Sequence, residues 1–173
     1  MDRRTMPLVE ATIDDVHGAL TRGQLTVRSL VKGYLARIEA YDRHGPTLNA
    51  ILAINEQALR EADRLDRELA GQGRLSGPLH GVPVLVKDQV ETAGIATTFG
   101  SVAMEGHVPE VDATVIMRLK KAGAIVLAKT TLPDFATSWF SFSSRSGVTR
   151  NPYDLDRDAG GSSSGTAAAL AAS

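Results

Sequence analysis

Two places in the 173-residue sequence combine residue types that can move protons. Lys87 closes the apolar run Val82-Pro83-Val84-Leu85-Val86 and is followed at once by Asp88. An amine at the end of a buried strand loses hydration, which favours the neutral form a general base needs, while an adjacent carboxylate opposes that change. A lysine in the same place can equally lay its stem along apolar surface and keep its head in water. The second place is Gly160-Gly161-Ser162-Ser163-Ser164-Gly165, a glycine-rich loop that enters the helix-forming run Thr166 to Ala172. As a phosphate cradle it has the Walker A glycine separation, but Thr166 stands where the lysine is required, so nucleotide binding fits poorly. As a nucleophile elbow, G-x-S-x-G centres on Ser163. Yet Asp156-Arg157-Asp158-Ala159 does not read as the preceding strand, and the residues that follow contain neither Asp nor His. As a serine–lysine site, loop hydroxyls would pass protons between Lys87 and a nucleophile while backbone N–H groups at the helix start stabilise negative charge. A glycine–serine turn that merely caps a helix has the same composition.

Composition removes other chemistries. No cysteine is present, so there is no disulfide framework, thiol nucleophile or cysteine-ligated zinc. The four histidines, at 17, 44, 80 and 107, show no metal-ligand spacing and read as structural or exposed; neither a metal nor an organic cofactor is expected. Lys plus Arg is 19 against 20 for Asp plus Glu, without a basic block, which disfavours nucleic-acid or membrane binding driven by bulk charge. With 43% hydrophobic residues and no apolar run of about 18, a globular cytoplasmic protein is expected.

The elements that must position these residues are α/β in pattern. Thr12 with Asp15 resembles a capping box, and Thr26 precedes Val27, Leu30, Val31, Tyr34, Leu35, Ile38 and Tyr41, one apolar stripe at helical spacing. Leu48 to Ile54 reads as a short strand, and Glu56 to Ala70 as a helix ended by Gly71 and Gly73. Val82 to Val86 reads as a strand covered on both faces. Asp112 is placed to cap a helix through Val115, Ile116 and Leu119, followed by a buried strand from Ala124 to Ala128. Strand, helix, strand implies a parallel core. Thr137 to Gly147 reads as a long loop, whose Trp139, Phe140 and Phe142, with Phe135, either line an apolar pocket or pack beneath the loop. Asp134 reads as a cap or turn residue, and Asn151-Pro152-Tyr153 as a turn. Residues 1–75 form a helical region and 76–173 an α/β core in this reading.

Four segments carry a family resemblance: HGVPVLVKD at His80 to Asp88, DATVIMRLKKAGAIVLAKT at Asp112 to Thr130, TRNPYDLDR at Thr149 to Arg157, and GGSSSGTAAALAA at Gly160 to Ala172. In this order, with Lys87 and Ser162 separated by 75 positions, they resemble the amidase signature family. The resemblance implies an N-terminal helical layer followed by part of a mixed-sheet core. It also implies hydrolysis or transfer of carboxamides by a Ser-cisSer-Lys triad, with no cofactor. By position Lys87 would be the base and Ser162 the middle serine, joined to Gly161 by a cis peptide bond, while Ser163 would support the lysine through a hydrogen bond. Ser164 departs from the glycine more usual there. The family's nucleophilic serine lies in a second glycine-rich segment farther on, which would fall beyond Ser173. The sequence is therefore expected to be an N-terminal portion, inactive alone. When complete it is expected to act on a small-molecule amide, with no direct nucleic-acid or membrane partner and with a homodimer compatible. A glutamine-hydrolysing, tRNA-dependent amidotransferase component is the alternative, and a non-catalytic remnant a third reading.

Overall fold

Reciprocal caps start the first two helices of the computed structural model, which describes residues 7–172. Helix α1 (Ile13–Thr21) begins where the Asp15 amide donates to the Thr12 hydroxyl at 3.1 Å and the Thr12 amide donates to the Asp15 carboxylate at 3.0 Å. Helix α2 (Val27–Arg37) has the same arrangement between Thr26 and Ser29. Its first free amides, of Val27 and Arg28, donate to the Asp66 carboxylate at 2.7 and 3.0 Å, so helix α3 (Ala58–Gln72) caps α2 across a tertiary contact. After Arg37 the chain widens into a π turn, Ile38–Arg43, which changes the angular phase of the residues that follow. The apolar stripe therefore stops early: Val27, Leu30 and Val31 are buried, but Tyr41 is exposed. Helix α3 ends at Gly73, whose φ of 65° lies in the left-handed region, with Gly71 still inside the helix.

The main sheet has three strands, β1 (Ile51–Ile54), β2 (Pro83–Lys87) and β3 (Ile125–Thr130), in the order β1-β3-β2. Strand β3 is antiparallel to β1 and parallel to β2, with helix α4 (Thr114–Lys121) in the connection between the parallel pair. All six residues of β3 are buried, as its apolar run implies. Strand β2 has an equally apolar sequence and is packed on both faces, Leu85 against the helical core and Val84 and Val86 in the cluster of Ile116 and Val126, but among the described residues it lies at the sheet edge, and Val86 alone of its residues is fully buried. Asp112 does not cap α4, whose N-cap is Ala113. Its carboxylate instead accepts from the Ala93 amide at 2.8 Å and from Lys120 Nζ at 2.8 Å, stapling the preceding loop to the last turn of the helix.

A second, two-stranded sheet joins β4 (Arg150–Asn151) to β5 (Asp154–Asp158). At residues 156–158, strand β5 contradicts the reading of 156–159 as non-strand. All five of its residues are exposed, so no apolar alternation marks it; the turn makes it, with the Tyr153 amide donating to Asn151 Oδ1 at 3.0 Å. Helix α5 (Ser164–Ala171) follows. The largest core packs Val16, Leu20, Val27, Leu30, Ala62 and Leu65 of the helices against Ile125 and Leu127 of β3.

His80 is fully buried beside this core, accepting from the Ser76 amide at 3.2 Å through Nδ1. Its Nε2 has no partner among the described residues, and burial holds its pKa below the ordinary 6.5. On acidification the unfolded chain binds this proton first, so the native state keeps its full relative stability above 6.5 and loses it as pH falls below that value. Urea denaturation at about pH 7.5 and about pH 5.5 should show a larger acid loss for wild type than for His80→Gln. Equal losses would contradict the burial argument.

Candidate active site

Thr130 is the pivot of the site. In the β2–β3 register it stands opposite Lys87, and its hydroxyl lies 2.7 Å from that of Thr166 in α5. The start of α5 is fixed at the same strand ends, because the Gly165 amide donates to the Thr131 carbonyl at 3.1 Å. A Cβ at position 165 would fall 2.3 Å from the Ala50 carbonyl oxygen and 2.4 Å from the Thr131 nitrogen, so only glycine permits this approach. The loop before α5 is thereby brought over the end of β2. Lys87 Nζ donates to Ser162 Oγ at 2.7 Å and to Ser163 Oγ at 3.1 Å. The peptide bond between Gly161 and Ser162 is cis.

The hydroxyls of Ser162 and Ser163 are aimed at the amine and not at the helix. Ser163 occupies the N-cap position of α5 without a side-chain cap bond, which removes the reading of the loop as a mere helix cap. Ser164 is buried, and its hydroxyl has no partner among the described residues. Burial of the half-buried Lys87 amine lowers its pKa from the ordinary 10.5. Asp88 is fully buried on the other side of the strand end. Its Oδ2 accepts from the Thr98 amide at 2.9 Å, the Thr98 hydroxyl at 2.7 Å and the Gly100 amide at 3.3 Å. A less charged amine between two hydroxyls is an arrangement that can accept a proton from one of them and return it.

Trp139, Phe140 and Phe142 are 86%, 68% and 60% exposed, and Phe135 is also exposed. They form neither a core nor an enclosed pocket among the described residues. The reason lies in the backbone: a Cβ on Gly161 would come within 2.8 Å of the Ser138 carbonyl oxygen and 3.0 Å of that of Phe140. The main chain of the aromatic loop thus packs on the glycine, and the rings are exposed. A cavity of about 250 Å³ does exist elsewhere, lined by Tyr34, Arg37, Leu85, Leu127 and Leu170 among others, and neither Lys87 nor the loop serines reach it.

Sequence reasoning missed Asp158. Its carboxylate accepts from the Ser141 amide at 3.1 Å, the Ser141 hydroxyl at 3.0 Å and the Gly160 amide at 2.6 Å, tying the aromatic loop to the serine loop. An Asp two residues before a glycine is an Asx-turn signal that points to the Gly160 bond, but nothing local points to Ser141. Asp134, read as a turn residue, accepts from the Ser144 amide at 2.6 Å and closes the other end of the aromatic loop.

Comparison with known proteins gives a consistent set of likenesses. The family model described as Amidase matches residues 29–173. A glutamyl-tRNA(Gln) amidotransferase subunit of Syntrophobacter fumaroxidans is 44% identical over 163 residues, covering 93% of this chain and 32% of that protein. Its namesake in Alkaliphilus metalliredigens is 40% identical over 168 residues, covering 96% and 33%. Among solved structures, native peptide amidase from Stenotrophomonas maltophilia superposes with a TM-score of 0.88 at 43% identity, covering 95% of this chain and 34% of that one. A 6-aminohexanoate cyclic dimer hydrolase complexed with substrate gives 0.82 at 30% identity, covering 94% and 32%. The chain spans about a third of the length of the curated relatives it matches.

The close seating of α5 sets an expectation for Gly165→Ala. The added methyl has only backbone and the Thr131 hydroxyl to push against, so α5 must shift, at a cost of about 1–3 kcal/mol in urea denaturation. Amide exchange should quicken in residues 160–171 at the same time. A variant as stable and as protected as wild type would contradict the geometry.

Proposed function

This chain belongs to the amidase signature family, and on that premise we propose that it supplies the lysine and middle serine of an enzyme that cleaves the C–N bond of a carboxamide. The observation that carries this reading is the 2.7 Å contact between Lys87 Nζ and Ser162 Oγ, with Ser163 Oγ as a second neighbour of the amine. Lys87, when neutral, takes the Ser162 proton while Ser162 takes that of a nucleophilic serine contributed by the longer protein. That serine attacks the carbonyl carbon, a C–O bond forms, and the C–N bond breaks as the relay returns the proton to the leaving amine. Water then releases the acid, or an amine intercepts the acyl group. Ser163 holds the lysine between the two hydroxyls, and Gly161 leaves room for the aromatic loop.

The substrate is a small-molecule amide in this proposal. Trp139, Phe140 and Phe142 stand exposed beside the serine loop and would line the acyl side once the rest of the protein covers them. The relatives named as amidotransferase subunits support a second reading, in which the amide is that of glutamine and the chain works within a larger complex. We place the protein in the cytoplasm; among the described residues no helix is long and apolar enough to cross a membrane.

Ammonia release by the native enzyme carrying this chain separates the possibilities. Turnover of primary amides with apolar acyl parts supports the first reading and glutamine-selective turnover the second; no amide turnover would leave a non-catalytic remnant. In either active case Lys87→Ala and Ser162→Ala should each lower kcat by about 10²–10⁴-fold. Near-wild-type kcat in either variant contradicts the assigned roles.

A further inference from the structure

Lys129 is the largest fully buried side chain among the described residues, and the relay does not use it. It lies in β3, opposite Val86 in the register, and so projects from the face of the sheet opposite to Lys87. Its neighbours there include the apolar cluster of Val86, Ile116 and Val126, where an ammonium is costly to keep. Nζ donates to the Val90 carbonyl and to the Thr97 hydroxyl, both at 2.7 Å, and stands 3.8 Å from Asp88 Oδ1. That oxygen has no hydrogen-bond partner among the described residues, while Oδ2 is engaged by Thr98 and Gly100. The carboxylate next in sequence to Lys87 therefore faces a cation that has no second ionic partner within bonding distance among the described residues.

We propose that Lys129 is a positioning residue for the site: from the far face of the sheet it neutralises Asp88, so that a buried negative charge does not stand uncompensated beside Lys87. The proposal rests on the reading of Lys87 as the base. A base must be able to lose its proton, and an unbalanced carboxylate one residue away would hold that proton on. Neutralising the carboxylate by a buried lysine, and not by leaving it out, keeps the three bonds with which Asp88 fixes the loop at residues 98–100. The other charged group near Lys129 is Glu91, which faces His107 at 3.3 Å; the groups on Lys87 from the α5 loop are the neutral hydroxyls of Ser162 and Ser163. Burial pushes Lys129 toward its neutral form, and Asp88 and Glu91 pull it back toward the charged one.

The test is a titration of Lys87 through its side-chain ¹³Cε resonance in the native protein carrying this chain, assigned by the signal lost in Lys87→Arg. In Lys129→Met the Asp88 charge is left alone, and the Lys87 midpoint should lie about one pH unit above that of Asp88→Asn/Lys129→Met, in which both charges are gone. Wild type should fall near the double variant. Equal midpoints in Lys129→Met and the double variant overturn the proposal, because a pair that only staples loops does not distinguish them. If Lys129→Met does not fold, Lys129→Gln replaces it in both variants, and equal midpoints again overturn the proposal. The titration reads charge coupling whether or not Lys87 is a base, whereas turnover of Lys87→Ala reads the base role, so the two ideas fail separately.

Discussion

Strand β3 must be hydrogen-bonded along both edges, since its six residues are buried and unpaired backbone groups there would find no water. That constraint calls for β1 on one side and β2 on the other, and the rest of the molecule is arranged by it. Pairing with β2 sets Lys87 opposite Thr130, and Thr130 meets Thr166 of α5. At the β1 side the Thr131 amide donates to the Ala50 carbonyl at 2.9 Å, and the Thr131 carbonyl in turn receives the Gly165 amide at 3.1 Å. A slip of one residue between β2 and β3 would turn Lys87 to the opposite face and dissolve the site, while each local element survived.

The helical layer carries little chemistry, yet it is what makes β3 possible. Val27, Leu30 and Leu65 are at most 1% exposed, and full burial of such side chains is worth about 1.5–3 kcal/mol each. They cover Ile125 and Leu127 from one side, while Ile116 of α4 covers Val126 from the other. Between these apolar layers the end of the sheet is polar: Asp88, Thr97, Thr98, Lys129, Thr130 and Thr131 are all buried. Such a concentration of buried polar groups at strand ends is where a fold keeps function at the expense of packing.

Much of the fold was legible because its signals are local. Thr12 with Asp15, Thr26 before Val27, Gly73 after α3 and the strand, helix, strand order from Val82 to Ala128 each follow from spacing within a few turns of chain. What escaped depends on distant partners. Asp112 looks like a helix cap until Ala93 and Lys120 claim its oxygens. Val82 to Val86 gives no sign that β2 lies at the edge of the sheet among the described residues. Strand β5 has no apolar period to read. The site shows the same division. Lys87 and the serine loop stand out by residue type, but their meeting across 75 positions came from the family resemblance and not from any local pattern. Of the residues that hold the pieces together, Asp158 signals only its local bond to Gly160, and Thr130 carries nothing that singles it out from other polar residues of a strand.

The central proposal is that Lys87 is poised to take a proton from Ser162, and the most direct measurement is the titration midpoint of Lys87 in the wild-type protein, read by NMR. A midpoint clearly below the ordinary lysine value of 10.5 is expected from burial of the amine against the serine loop. A midpoint at or above 10.5 would show an ammonium held in its charged form and would contradict the proton relay.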